Sequence, residues 1–435
     1  MRNTAHFREF ARYTALNVLG MLGLSCYILA DTFFVAQGMG ADGLAALNLA
    51  IPVFSLIQGV GMMLGMGGAT QYAILKSQNS HAKANRAFNS AALLALLCAA
   101  LLFFAGVFLA EPITAALGAD GAVFEMCETY LRVLLIFSPM FIANSVVMCF
   151  VRNDGAPQLA MLAMLAGSFS NILLDYIFIF PLGMGIFGAV LATGCAPVIS
   201  LLTMSGFFLK GKNGFRPERS PLHPRLVQNI LSCGVPYCVS ELASGVVMIA
   251  FNLIALRLSG NIGVAAYGVI ANIAIVVVSI FTGVAQGIQP ILSRLYGTGN
   301  QETLGVTLRY ALLTVAALSA GIYALVFFGA QPIAAAFNSA GDPQMQNIAV
   351  QGLKIYFVSC VFAGFNIIVS AYFSATEYAR PAFLISLLRG FIVILPTVFL
   401  LSTLWGMVGV WCALPVTEAA VALAALAFYR RRRTR

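Results

Sequence analysis

Charge is what this chain has least of. Only 9% of its 435 residues are Asp, Glu, Lys or Arg, while 60% are hydrophobic and the mean hydropathy is +0.92. A soluble domain carries about 25% charged residues, so the composition excludes a water-covered surface and makes lipid the main solvent. Histidine is nearly absent: His6, His81 and His223 all fall in polar connecting segments. The apolar runs therefore hold no Ser–His pair and no His-based metal site. HExxH is missing, and no aspartate sits in a GxGD setting, so protease chemistry is not expected. The nine cysteines are scattered singly, with no CxxC pair, and read as small buried hydrophobes. No cleavable signal peptide is evident, because the apolar run after the basic first dozen residues is full-length and lacks a small-residue cleavage site. These absences predict a protein that is not an enzyme and has no resident cofactor.

Long apolar runs are present in number. They cover 13–36, 46–75, 88–110, 129–151, 158–180 and 186–208, then 228–257, 264–292, 307–328, 350–375, 381–402 and 407–429. Each is long enough to cross about 30 Å of hydrocarbon at ~1.5 Å per residue. The expected fold is an all-α integral membrane protein of about twelve transmembrane helices. With both termini on the inner side, 21 of the 24 Lys and Arg fall in inner segments, Arg152 and Arg389 among them. Arg132, Arg257 and Lys354 are the exceptions. That bias predicts cytoplasmic termini, and the net charge of +9 then reads as topology, with no nucleic-acid partner.

A basic, proline-containing stretch divides the chain nearly in half. It predicts an N-terminal lobe at 1–215, a cytoplasmic linker at 216–225 and a C-terminal lobe at 226–435. The halves match weakly at one offset. Gly43-Leu-Ala-Ala pairs with Gly263-Val-Ala-Ala, Asn144-Ser-Val-Val with Asn366-Ile-Ile-Val, and Gly185-Ile-Phe-Gly with Gly406-Met-Val-Gly. Six helices per copy is an even number, so the bundles should be related by an axis along the membrane normal, with a cleft between them.

Four acidic residues lie within apolar runs: Asp31, Asp175, Glu241 and Glu418. A charge at the bilayer centre costs ~2.5–3.5 kcal/mol on insertion scales. The sequence offers no Lys, Arg or His deep enough to pair them, so they are expected to take up protons, hold a metal ion or meet a cationic substrate. Tyr27 with Asp31, and Asn171 with Asp175, are spaced four apart and share helix faces. With Thr193 they form an oxygen-rich set suited to sodium, and the same carboxylates could instead carry protons. Glu241, Gln286 and Asn366 are candidate second-lobe or substrate contacts. Glu418 is expected to contact headgroups or neighbouring helices. Asp154 and Glu377 are expected to pair at the interface with Arg152 and Arg380. The many glycines of the second and eighth runs are expected to serve helix packing.

Several segments resemble the multidrug and toxic compound extrusion (MATE) family, in its bacterial DinF-like and MepA-like branch. They are Asp31-Thr-Phe-Phe-Val-Ala-Gln-Gly-Met-Gly, Leu44-Ala-Ala-Leu-Asn-Leu-Ala-Ile-Pro52, Gly65-Met-Gly-Gly-Ala-Thr, Asn171-Ile-Leu-Leu-Asp175 and Gly287-Ile-Gln-Pro290. The resemblance implies a secondary antiporter in a bacterial inner membrane. It would export organic, usually cationic, compounds against H+ or Na+, and act as a monomer. It also implies a first-lobe ion site at Asp31, Asn171, Asp175 and Thr193, with Tyr27 adjoining. No proline precedes Asp31 after Arg2, unlike some relatives. The alternative is a flippase for a lipid-linked precursor, which would call for basic residues in the cleft.

Overall fold

The computed structural model describes residues 2–216, 223–338 and 341–433, all in helices and their connections. With no water in a bilayer core, every backbone N–H and C=O must be satisfied within its own span, and these apolar sequences answer that with helices. The long helix Arg2–Ser77 is broken at Gly40 into α1 (2–39) and α2 (41–77). Next come α3 (His81–Phe108) and the short helix Ala110–Ala116, which leads to α4, a pair Gly121–Ile136 and Ser138–Asn153 bent by 46°. Pro139 sits at the start of the second piece, where a missing N–H costs least. Then follow α5 (Pro157–Ile179) and α6 (Gly185–Leu209).

The second half repeats the plan. Pro224–Gly297 breaks at Ser259 and Gly260 into α7 (224–258) and α8 (261–297), followed by α9 (Gln301–Phe337) and α10 (Pro343–Ala375). The span α11 (379–405) begins with Ala379–Leu387 and continues through a π turn, Leu388–Ile392. A break at Gly406 then starts α12 (407–433). Among the described residues eight helices are long and apolar enough to span, and the bent pair makes nine. Splitting three of them at Gly40, Gly260 and Gly406 adds three, giving the twelve expected from sequence. The linker expected at 216–225 falls mostly at 217–222, outside the described residues.

Backbone conformation repeats with the sequence. Left-handed φ angles occur at Gly40 and Gly260, Asn79 and Gly299, Gly118 and Gly341, Gly155 and Glu377, and Gly185 and Gly406. The partners are 220, 220, 223, 222 and 221 residues apart. Each pair lies at the same helix boundary of its half, where L side chains are disfavoured and glycine is not. Glu377 (φ 56°) is the costly exception. Gly121, Gly183 and Gly211 have left-handed φ without a counterpart.

The two halves meet toward the face that carries the basic residues and both termini, called here the basic face. Glycine lets the backbones touch. A Cβ at Gly67 would overlap the carbonyl oxygen of Ile230, and one at Gly234 that of Met63, so α2 and α7 are in backbone contact. Similarly, a Cβ at Gly283 would lie 2.7 Å from the Cα of Val18, and one at Gly287 2.8 Å from that of Thr14, joining α8 to α1. Hydrogen bonds crossing the seam cluster there as well: Gln71 Nε2 donates to Glu377 Oε1 (2.7 Å), Gln289 Nε2 to Thr70 Oγ1 (2.9 Å) and Asn153 Nδ2 to Gln289 Oε1 (2.9 Å). Arg294 and Glu9 add an ion pair at 2.8 Å. Asp154 is held by Lys76 (2.5 Å), Tyr72 (2.6 Å) and the Gly214 N–H (2.6 Å), and Glu377 by Gln71. Both carboxylates thus find interfacial partners, though not the Arg152 and Arg380 expected for them.

Candidate functional site

The first-lobe residues expected to act together do converge. Asp31 on α1 is 8% exposed, and on α5 Asp175 and Asn171 are fully buried. With its amide turned to satisfy its neighbours, Asn171 donates to Asp175 Oδ2 (3.0 Å) and accepts the Thr193 backbone N–H of α6 (3.1 Å). Asn171 is thus the clamp between α5 and α6. Thr193 differs in detail from expectation, because its hydroxyl proton goes to the Ala189 carbonyl (3.1 Å). With its proton so placed, that hydroxyl could meet an ion only through its oxygen. Tyr27 lies within electrostatic reach of Asp31, Asp175 and Glu241.

Sequence reading missed Tyr130. This buried α4 residue packs against Thr193 and within electrostatic reach of both aspartates. It lies far from them along the chain, with no local spacing to signal it.

One oxygen on each carboxylate is left over. Asp31 Oδ1 and Asp175 Oδ1 are buried and have no hydrogen-bond partner among the described residues. Two carboxylates close enough to interact, each with a buried free oxygen, repel one another unless a proton or a cation joins them. The donor set is all oxygen, as a hard cation such as sodium prefers. Among the described residues no three His, Cys, Asp or Glu side chains cluster, so nothing resembles a transition-metal site. A sodium ion would thus be met by Asp31, Asp175, the Asn171 carbonyl oxygen and Thr193.

An apolar plug seals this group on the side away from the basic face. One turn beyond each polar residue stand Val35, Ile179 and Ala189, which form a cluster of their own. Phe34, Tyr176 and Phe180 pack beside it in tilted and edge-to-face pairs, with ring centroids 5.6–6.2 Å apart. On the other side the group opens, at Tyr27, into a cavity of about 180 Å³ within the first lobe. Its walls mix methionine and phenylalanine (Met21, Met62, Met148, Met164, Phe54, Phe141) with polar side chains such as Gln58, Asn144 and Ser168. Glu241 and Gln286 reach it from the second lobe, whereas Asn366 does not.

Asn366 belongs instead to a buried cluster in the second lobe. There Arg389, in the π turn of α11, donates to Glu418 through Nε (3.1 Å) and Nη2 (2.7 Å). Asn366 Nδ2 donates to the other carboxylate oxygen (2.7 Å). This corrects the expectation that no base lies deep enough to pair an intramembrane acid. Arg389 is not in an inner loop, since its side chain is only 19% exposed within a spanning helix. Arg152 likewise is 1% exposed and lines the first-lobe cavity.

The repeat makes the contrast sharp. Subtracting 222 from Asn366, Arg389 and Glu418 gives Asn144, Gly167 and Ala196, all of which line the first-lobe cavity. The second lobe therefore fills with a salt bridge the space that the first lobe leaves open. The lobes are alike in backbone and unlike in chemistry.

Twelve spans in two repeated bundles, a seam closed at one face and an intramembrane carboxylate pair beside a cavity define a multi-pass membrane transporter. The MatE family model matches residues 18–177 and 236–400, one stretch in each half, and the chain belongs to that family. Its relatives include the multidrug export protein MepA of Staphylococcus saprophyticus and that of Staphylococcus aureus strain MRSA252. Each is 24% identical over 97% of this chain and 92% of the relative. Solved structures agree: an outward-facing multidrug resistance MATE transporter superposes with a TM-score of 0.91, and a MOP superfamily transporter from Pyrococcus furiosus with 0.90. Both are 25% identical, and each match covers 98% of this chain and 95% of the other.

Proposed function

We propose that this protein exports organic, cationic amphiphilic compounds from the cytoplasm in exchange for protons or sodium ions. The lobes at 1–215 and 226–435 would rock about the seam to expose the cavity to either side in turn. The observation that carries this reading is the buried pair Asp31 and Asp175, each with an unpartnered oxygen, opening into the cavity at Tyr27. An ion taken up by the pair removes the negative charge that would attract a cationic compound, so ion and compound compete. A transporter needs that differential interaction, because an ion that binds both states equally drives nothing.

Export activity of the MepA relatives supports the substrate class, and the methionine- and phenylalanine-lined walls suit varied apolar shapes. The basic face is the cytoplasmic one, by the bias of Lys and Arg, so the seam closed there leaves the cleft facing outward. The membrane is a bacterial inner membrane, and the unit that works is a single chain. No cofactor takes part. One charge crossing 100 mV supplies about 2.3 kcal/mol, and one pH unit about 1.4 kcal/mol, which sustains roughly a tenfold gradient. A one-for-one swap of monovalent cations moves no net charge, so only the ion's own gradient would drive it.

The test uses inside-out vesicles loaded by a fluorescent organic cation, with sodium and proton gradients imposed separately. Wild-type uptake should follow at least one gradient, and Asp31→Asn and Asp175→Asn should lose it. Uptake by both variants at the wild-type rate would reject the assignment.

A further inference from the structure

The inner end of the first-lobe cavity carries a charge of the wrong sign for an organic-cation site. Arg152 on α4 is 1% exposed and lines the cavity, and its Nε and Nη1 have no hydrogen-bond partner among the described residues. Beside it, from α7 of the other lobe, the Tyr237 hydroxyl is also without a partner. Ser200 Oγ, on the same cavity wall, is a third unpaired donor. Among the described residues no acid hydrogen-bonds to them. Asp154 is taken by Lys76, Tyr72 and Gly214. Glu241, one turn from Tyr237 along α7, makes no hydrogen bond to the guanidinium among those found. A buried charge is stable only when paired, and Arg152 and Ser200 on the cavity wall, with the Tyr237 hydroxyl of the other lobe beside the guanidinium, are the makings of an anion site.

We propose that Arg152 and Tyr237 bind the carboxylate of an amphoteric organic substrate whose cationic nitrogen faces Glu241 and Tyr27. This rests on the export reading above and narrows its substrate class. The planar guanidinium, with two free donor atoms, matches a carboxylate's two oxygens. Tyr237 and Glu241 are one helical turn apart, about 5.4 Å. The cavity runs along α4 from Phe141 to Arg152, 11 residues or roughly 16 Å of helix. Both ends of a compact zwitterion fit in that length. Because Arg152 and Tyr237 belong to different lobes, the carboxylate would bridge them only while the basic face is closed. A zwitterion also carries no net charge, so each ion exchanged for it moves charge, and the membrane potential would drive export.

The experiment pairs a rhodamine bearing a free carboxylate with its methyl ester, otherwise identical. Binding is measured on the full-length protein in phosphatidylcholine nanodiscs, and export in matching vesicles. Wild type should prefer the acid over the ester. Arg152→Met should lower the acid-to-ester affinity ratio by about 10- to 100-fold, as expected for losing a charged hydrogen-bond pair. Tyr237→Phe should lower it less, and Arg152→Lys, which keeps the charge, should retain part of it. If Arg152→Met does not fold, the Tyr237→Phe and Arg152→Lys ratios decide. An unchanged ratio in the folded variants overturns the proposal. So does a preference that disappears once phosphatidylglycerol is added, which would assign the guanidinium to a lipid phosphate. Wild type exporting the ester with no preference for the acid defeats the carboxylate site and leaves export standing. Neither dye moving under any gradient defeats the export reading itself, and this inference with it.

Discussion

Closure of the basic face can be trapped by a single substitution, because the second cysteine is already in place. A Cβ built at Gly59 on α2 lies 3.2 Å from the Cys238 sulfur of α7. In a disulfide, a Cβ sits roughly 3 Å from the far sulfur, as bond lengths near 1.8 and 2.04 Å require. Gly59→Cys should therefore oxidise to a bond with Cys238 after only a few tenths of an ångström of adjustment. The same Cβ stands 3.4 Å from the Cys238 Cα and 3.3 Å from its carbonyl oxygen, close enough to slow the reaction without forbidding it. The wild type has nine free cysteines. Counting thiols with maleimide under denaturing conditions should give ten in the reduced variant and eight in the oxidised one. Gly59→Cys with Cys238→Ser should give nine under both conditions. Since the bond joins the lobes, export by the oxidised variant should fall below a few per cent and return with dithiothreitol. Ten thiols after oxidation would refute the closeness of α2 and α7. Full export from an eight-thiol protein would refute the claim that this seam must open.

Other consequences follow from the same geometry. Gly234→Ala should wedge the α2–α7 seam, where even a methyl group overlaps the Met63 carbonyl. Overpacking of this kind costs about 1–3 kcal/mol. Combined with Gly59→Cys, it should slow disulfide formation with Cys238 severalfold while the melting temperature stays near that of the parent. Equal cross-linking rates would contradict it. Glu418→Gln strands Arg389 in the second-lobe core, and breaking a buried pair in this way costs about 3–5 kcal/mol. A marked drop in thermal stability in detergent, largely recovered by the double variant with Arg389→Met, is the expected result. A variant as stable as wild type would show that the pair is exposed. Tyr130→Phe keeps the ring and removes the hydroxyl that meets Thr193 beside the aspartates. It should weaken sodium or proton coupling with little change in stability, which paired vesicle and melting assays would detect.

Much of this fold is legible in the sequence because its vocabulary is so small. When charge is rare, each acidic residue inside an apolar run stands out, and helical spacing alone ties Tyr27 to Asp31 and Asn171 to Asp175. The repeat, too, shows in three short matches, and the left-handed residues at the same offsets give it a backbone cause. The arginines mislead for an equally physical reason. Counting basic residues by loop assigns Arg152 and Arg389 to the inner side, but says nothing of depth. Arg389 is drawn into a span by a π turn and by an acid 29 residues later, and Arg152 is covered by helices from both lobes. Tyr130 and Tyr237 escape a sequence reading because their partners come from other helices. The partition of roles between similar lobes is invisible as well, since it depends on which side chains fill equivalent space.

The proposed ion-for-compound exchange at Asp31 and Asp175 is tested most directly by equilibrium binding of a fluorescent organic cation to the purified protein. The titration is repeated across sodium concentrations and, separately, across pH. Affinity for the dye should fall as the coupling ion rises, and that dependence should vanish in Asp31→Asn with Asp175→Asn. Dye binding that ignores both ions in the wild type, or that keeps the same ion dependence without the two carboxylates, would contradict the account.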